Sequence, residues 1–460
     1  MKIVRIASLF LFPLLPISCA SPVNNIEKTE PQHVVMVIDE NLDPNHEVLE
    51  GKILASYTLK CKPKKNAMSE GALKGPINEE ALLAHFEKLA KESNPSGCEI
   101  IDGITPHYTQ EQLNFIPLRD RWNEAVKKRD FSQISHVEYL ATTSQIIGSS
   151  HGMLSVGTIA YKNPHVKFVL VSVAKNEEEA NTDDSSIADI CPILEAIQAA
   201  AELYKKQSII EAATKIPNDL LIRLKDIAEL HHVTLVNKSY GGDPFKIQDT
   251  LFSQICGKKS EFTALSNLDR SQADLNRIRN EAQNLTPDSM PFLTLRSAGN
   301  ESHDIGSFYD YPDCFRNSQR HLLVGSYSLD KRVSRFSNYG DCVDLYNLGT
   351  NVITTAPLGF LGIVDGTSFS SPLTVRYITE NFDASDPDAK IKKMLMKRRD
   401  TKKFLPFPSN LEEVAYDKPP RGLRAGFGWV GNFDSISIPR RIRIKFPHIG
   451  NPFFGYHNNL

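Results

Sequence analysis

Five consecutive apolar residues, Val34 to Ile38, lead straight into an acid, Asp39. A continuous apolar run, unlike an alternating one, suits a strand covered on both faces, which is the condition of a parallel sheet. Such a strand delivers the residue at its C-terminal tip to the edge of the sheet where α/β proteins build their sites. The rhythm recurs. Phe168 to Val173 and Thr234 to Ser239 are further strands, the second preceded by a helical pattern with Leu220, Leu221, Leu224, Ile227 and Leu230 on one face. Pro291 to Ala298 and His321 to Ser326 continue the series, and Ser368 to Glu380 reads as a helix with Pro372 in its first turn. Strands alternating with helices predict an α/β fold, a doubly wound, mainly parallel sheet with helices on both faces.

The chain has 460 residues, enough for one large core with insertions. Polar, charge-rich stretches near 60–145, 176–215 and 243–288, with helical patches such as Asn78 to Glu92, read as surface insertions in a single domain over 21–437, followed by a C-terminal extension, 438–460. In that extension, Arg440 to Lys445 alternates basic and apolar residues as an edge strand does. With 53 Lys and Arg against 55 Asp and Glu, the chain lacks the basic excess of a nucleic-acid binder, and Lys60 to Lys65 is a short solvated face.

Residues 1–20 read as an export signal: Lys2 and Arg5, an apolar run from Ile6 to Ile17 shorter than the roughly 20 residues of a membrane span, then Ser18-Cys19-Ala20 as a small-residue cleavage site. Ser18-Cys19 also fits a lipoprotein signal with lipid on Cys19, although Pro16 is unusual there. The expected location is extracellular, or the periplasm or cell envelope of a bacterium. Cys61, Cys98, Cys191, Cys256, Cys314 and Cys342 remain after cleavage, an even set that suits disulfides in an exported chain. Their spacing does not select a pairing, and free buried thiols are the alternative. His231-His232 reads as a helix-to-strand junction, because no third ligand follows at metal-site spacing.

Gly366-Thr367-Ser368-Phe369-Ser370-Ser371-Pro372 places an exposed hydroxyl at a helix start after a glycine turn. Unpaired backbone N–H groups there favour negative charge, as acyl transfer requires of an oxyanion site. Taken alone, Ser368 would be a helix cap. His151-Gly152 opens a second helical run, Met153 to Ala160, where an imidazole can accept a proton. Asp39, His151 and Ser368 occur in the chain order that distinguishes one class of serine hydrolase from two others.

On these residues the sequence resembles the subtilase (subtilisin-like serine protease) family. Val35 to Asp39, with Asp43 and His46 downstream, is similar to its Asp block, and His151-Gly152 to Ala160 to its His block. Gly366-Thr367-Ser368 to Pro372 is similar to its Ser block. Ser297-Ala298-Gly299-Asn300 resembles the segment bearing the side-chain oxyanion donor, and Ser239-Tyr240-Gly241-Gly242 the segment whose backbone pairs with substrate. Val324-Gly325-Ser326, Phe336 to Gly340, Gly349-Thr350 and Gly426 to Val430 follow in family order.

The resemblance implies a serine endopeptidase acting on protein or peptide substrates. Its triad would be Asp39, His151 and Ser368, with Asn300 as oxyanion donor and Ser239, Tyr240, Gly241, Gly242, Ala298 and Gly299 binding substrate. It implies neither a metal nor an organic cofactor. Glu40-Asn41 replaces the usual Ser/Thr-Gly, Met153 replaces a threonine and its hydroxyl contact, and Val48 stands where many members have a calcium carboxylate, so that site is expected to be absent. Too few residues separate Ala20 from Asp39 for a folded inhibitory propeptide, and the insertion around 60–145 is expected to assist folding or cover the cleft. The rival readings are a non-catalytic cell-envelope binding protein on the same scaffold and a serine esterase.

Overall fold

The computed structural model describes residues 32–61, 78–174, 202–239, 274–302 and 317–399, with 271, 304–306, 314–315, 403 and 405. The signal segment with Cys19, Tyr240 to Gly242, Cys191, Cys256, Gly426 to Val430 and the C-terminal extension lie outside the described residues.

The strands are β1 (His33–Glu40), β2 (Ile53–Cys61), β3 (Cys98–Asp102), β4 (Val166–Val173), β5 (Leu235–Lys238), β6 (Leu293–Ser297), β7 (His321–Ser328), β8 (Arg332–Val333), β9 (Leu345–Leu348), β10 (Val352–Thr355) and β11 (Leu361–Val364). Nine form one sheet in the order β3-β2-β4-β1-β5-β6-β7, with β8 and β9 both pairing with β7. The pairs from β2 through β7, and β7 with β9, are parallel; β3 and β8 are antiparallel additions. β10 and β11 form a separate antiparallel hairpin.

The labelled helices are α1 (Glu79–Leu89), α2 (Arg119–Lys128), α3 (His136–Thr142), α4 (His151–Ala160), α5 (Gln207–Thr214), α6 (Asp219–Leu230), α7 (Thr367–Asn381) and α8 (Asp388–Arg398). The period of two along β1 sorts its side chains. Val35 and Val37 pack with Met153, Val156 and Ile159 of α4 and Val375 and Ile378 of α7. Met36 and Ile38 pack on the other face with Leu220, Leu224 and Ala228 of α6. Two residues beyond Val37, Asp39 inherits the α4 side. Helices on both faces of a mainly parallel sheet are the doubly wound architecture expected.

A third apolar cluster joins Trp122, Val126, Phe131 and Ile134, from the segment before His151, to Phe360, Ile363, Val364 and Phe369. The stretch 60–145 therefore holds the end of β2, strand β3 and helices α1 to α3. Pro372 is not in the first turn: α7 begins at Thr367, which makes Pro372 its sixth residue, and the missing proline N–H leaves the Ser368 carbonyl without its helical partner. His231-His232 is the α6-to-β5 junction expected, with His232 in left-handed geometry and His231 Nε2 2.7 Å from Tyr57 Oη. Among the described residues two disulfides close, Cys61–Cys98 across β2 and β3 and Cys314–Cys342. Among the described residues, no helix is long and apolar enough to cross a membrane.

Candidate active site

Asp39 is 1% exposed, on the central strand of the sheet. Its Oδ1 accepts the Glu40 N–H at 2.8 Å, and His151 Nδ1 stands 2.8 Å from Oδ1 and 3.0 Å from Oδ2. A carboxylate only accepts, so the network assigns the proton to Nδ1 and leaves the Nε2 lone pair free. The approach needs Gly152: a Cβ there would lie 2.1 Å from the Glu40 carbonyl oxygen.

Asn41 takes the left-handed geometry its side chain tolerates, φ 52°, and its amide donates to the Ser149 carbonyl at 2.5 Å. At Met153 the expected loss of a hydroxyl contact is partly made good, because the thioether accepts the Asp43 N–H at 3.2 Å. Asp43 also accepts from Asn45 N–H and from the Tyr108 hydroxyl, and burial with the Asp43 charge raises the Tyr108 pKa far above the ordinary phenol range.

About a third of the His151 side chain, 32%, stays accessible. Burial resists a charge on this ring, but the carboxylates of Asp39 and Glu40 outweigh it and hold the imidazole pKa above its ordinary value of 6.5.

Ser368 is the second residue of α7. Gly366 precedes the helix at φ 151°, ψ 151°, a region essentially reserved for glycine, and donates its N–H to the Gly349 carbonyl at 2.8 Å. The N-cap position is Gly366, which has no side chain, and among the described residues the Ser368 hydroxyl is not spent as a cap. The serine is less open than its helix-start position suggests, at 8% exposed, because Phe369 beside it packs into the core and its ring lies 5.9 Å from that of His151. Among the described residues the hydroxyl makes no hydrogen bond; catalytic hydrogen bonds often close only when substrate binds.

Asn300 follows β6, and its Oδ1 accepts from Thr367 N–H at 2.9 Å and Thr367 Oγ1 at 3.0 Å. That fixes the amide and, among the described residues, leaves the Nδ2 donor unspent next to the α7 N-terminus. Thr367, which sequence reasoning noted only as motif, is thus the residue that orients Asn300. It also receives the Gly299 N–H at 3.2 Å. Asn338 is another missed contributor: its amide donates to the Ala298 carbonyl at 2.8 Å. The Phe336 to Gly340 block was its only sequence signal.

Of the six residues assigned to substrate, Ser239, Ala298 and Gly299 are described. Ser239 is fully buried, its hydroxyl receiving Asn237 Nδ2 at 2.7 Å and its carbonyl receiving Ser297 Oγ at 2.9 Å. Asn237 in turn accepts from Ser371 Oγ at 3.0 Å, so a buried polar line ties β5 and β6 to α7. The Ala298 N–H is used by the Val324 carbonyl. Among the described residues, no group of three or more His, Cys, Asp or Glu side chains is arranged to hold a metal ion.

A buried carboxylate against a histidine, with a serine at a helix start and an oriented amide beside it, is the grouping of a serine hydrolase on an α/β sheet. The model of the Subtilase family matches residues 31–402, and the chain belongs to that family of serine proteases. An "Intracellular serine protease" of Paenibacillus polymyxa is 33% identical over 82 residues, 17% of this chain and 24% of that protein, so the match spans about a quarter of that relative's length. Similar solved structures include a cold adapted subtilisin-like serine proteinase, at 15% identity, with 82% of this chain and 85% of that one covered and a TM-score of 0.35. The PatG macrocyclase domain is similar at 14% identity, with 85% and 87% covered and a TM-score of 0.37.

Proposed function

We propose that this chain is an exported endopeptidase that hydrolyses peptide bonds through an acyl-enzyme on Ser368. The observation that carries the reading is the 2.8 Å contact between His151 Nδ1 and the buried Asp39 carboxylate. It fixes the tautomer in which Nε2 is a base, on a helix packed beside the one that begins at the serine.

In this mechanism Ser368 Oγ bonds to the substrate carbonyl carbon as its proton passes to His151 Nε2. Asp39 stabilises the imidazolium. The oxyanion is met by the Ser368 backbone N–H and by Asn300 Nδ2, and losing such a side-chain donor typically costs about 100- to 1000-fold in rate. The imidazolium then protonates the leaving amine as the C–N bond breaks, and water, deprotonated by His151, releases the acid. Tyr240, Gly241 and Gly242, with Ala298 and Gly299, are assigned to the substrate backbone by their family motif. Export is supported by the segment 1–20 and by two disulfides, which suit an oxidising compartment.

Profiling new N-termini in a denatured proteome treated with wild type and with Ser368→Ala tests the reading. Internal cleavages made by the wild type and absent from the variant are expected. Trimming of chain ends alone, or the same internal products from Ser368→Ala, would overturn it.

A further inference from the structure

The segment between β3 and His151 is bonded to the hairpin that leads into the nucleophile. Trp122, 1% exposed on α2, donates its indole N–H to the Leu361 carbonyl at 2.8 Å. Asn123 makes a reciprocal pair: Nδ2 donates to the Gly359 carbonyl at 2.7 Å, and Oδ1 accepts the Leu361 N–H at 2.7 Å. Arg119 Nη1 donates to the Leu358 carbonyl at 3.3 Å. Leu358 itself sits at φ 59°, ψ 21°, a left-handed geometry that a bulky side chain takes only when its surroundings enforce it.

This grip is close to the reacting groups along the chain. β11 ends at Val364, two residues before Gly366, and Asp365 between them accepts the Asn351 N–H. On the other side, the hairpin hydroxyl of Thr354 donates to the Leu154 carbonyl of α4 at 2.7 Å, one turn from His151. Trp122, Phe131 and Tyr139 pack ring against ring at 5.2 to 5.6 Å, and their cluster continues through Phe360 to Phe369, the neighbour of Ser368.

We propose that α2 is a brace for catalysis, with Trp122 and Asn123 as positioning residues that hold the β10–β11 hairpin and through it the turn carrying Ser368 against α4. The proposal rests on the endopeptidase reading for its rate effects, but the brace has a readout of its own. An edge-on grip of three short bonds to one hairpin fixes where the strand ends, and small misplacement of a nucleophile is costly: a shift of about 1 Å can lose about 100-fold in rate.

The test compares wild type, Asn123→Ala, Trp122→Phe, which keeps the packed ring but not the donor, and Arg121→Ala. The last breaks only the exposed Arg121–Glu138 pair inside the insertion. Amide hydrogen exchange is followed across 363–370 and across β1 and β4, together with kcat, KM and the rate of fluorophosphonate labelling.

In Asn123→Ala and Trp122→Phe, exchange across 363–370 is expected to speed at least tenfold while β1 and β4 keep wild-type protection. The labelling rate and kcat should fall roughly ten- to hundredfold with KM little changed, and Arg121→Ala should behave as wild type. Unchanged exchange across 363–370, or a rise shared equally by β1 and β4, would overturn the brace whether or not the wild type cleaves peptides. A wild type without turnover would instead sink the endopeptidase reading and leave the exchange result to decide the brace. Should one variant fail to fold, the other carries the comparison.

Discussion

In the proposed mechanism His151 acts as a base while lying against one carboxylate and near a second. Asp39 and Glu40 both favour its imidazolium form, and together they overcome the resistance of burial. Only the neutral ring can take a proton from Ser368, so a raised pKa moves the acid limb of the activity profile upward. The expected result is a kcat/KM that falls on the acid side with a midpoint above the ordinary histidine value of 6.5, and a midpoint that moves to lower pH in Glu40→Gln. A midpoint that stays put or rises in that variant would contradict this account of Glu40. The sign for stability is the opposite of that for activity. A histidine whose folded pKa exceeds its unfolded one contributes stability that is fully present below the unfolded pKa and is lost as pH rises through the folded pKa. The Asp39–His151 pair is therefore strongest where the enzyme is least active.

The elements carrying these residues meet at close quarters, and α4 can approach β1 only because Gly152 has no side chain. A methyl group there would lie 2.1 Å from the Glu40 carbonyl oxygen, which is backbone and has no rotamer to yield. Gly152→Ala is expected to push the start of α4 away from Asp39, with overpacking costing about 1–3 kcal/mol of stability and activity falling by more than that loss explains. Calorimetry with kcat measured well below the melting temperature checks this; wild-type kcat would contradict it.

How legible each element was in the sequence follows its surroundings. β1, β4, β5, β6 and β7 lie inside the sheet, so their apolar runs are continuous. β2 and β3 reach its edge, where Leu54 and Ile101 are exposed; the mixed composition of β2 gives no strand signal, and β3 falls within the stretch 60–145 that reads as an insertion. β8 to β11 are too short to show a period. The helix of Ser368 starts at Thr367, one residue before the start its pattern indicates, because the glycine turn marks the break at Gly366 but not which of the next residues first takes helical geometry. Asp39, His151, Ser368 and Asn300 stand out as candidates because chemistry restricts residue types at those spacings. Thr367 and Asn338 act by hydrogen bonds to residues distant in sequence, and no local pattern reports such bonds.

At the scale of the molecule, three apolar clusters divide the work. Two cover opposite faces of the sheet, and the third joins the segment before His151 to the turn before Ser368. The Asp39 strand, the His151 helix and the Ser368 helix are separated by long stretches of chain, yet they converge because β1 is central and α4 and α7 share one of its faces. The central claim is that this convergence activates one hydroxyl. Its most direct test is mass-spectrometric mapping of the residue modified by a fluorophosphonate in the intact protein. The account predicts a single adduct, on Ser368, formed faster as pH rises through the His151 limb and lost in His151→Ala; an adduct on another residue, or Ser368 labelling that His151→Ala leaves at the wild-type rate, would contradict it.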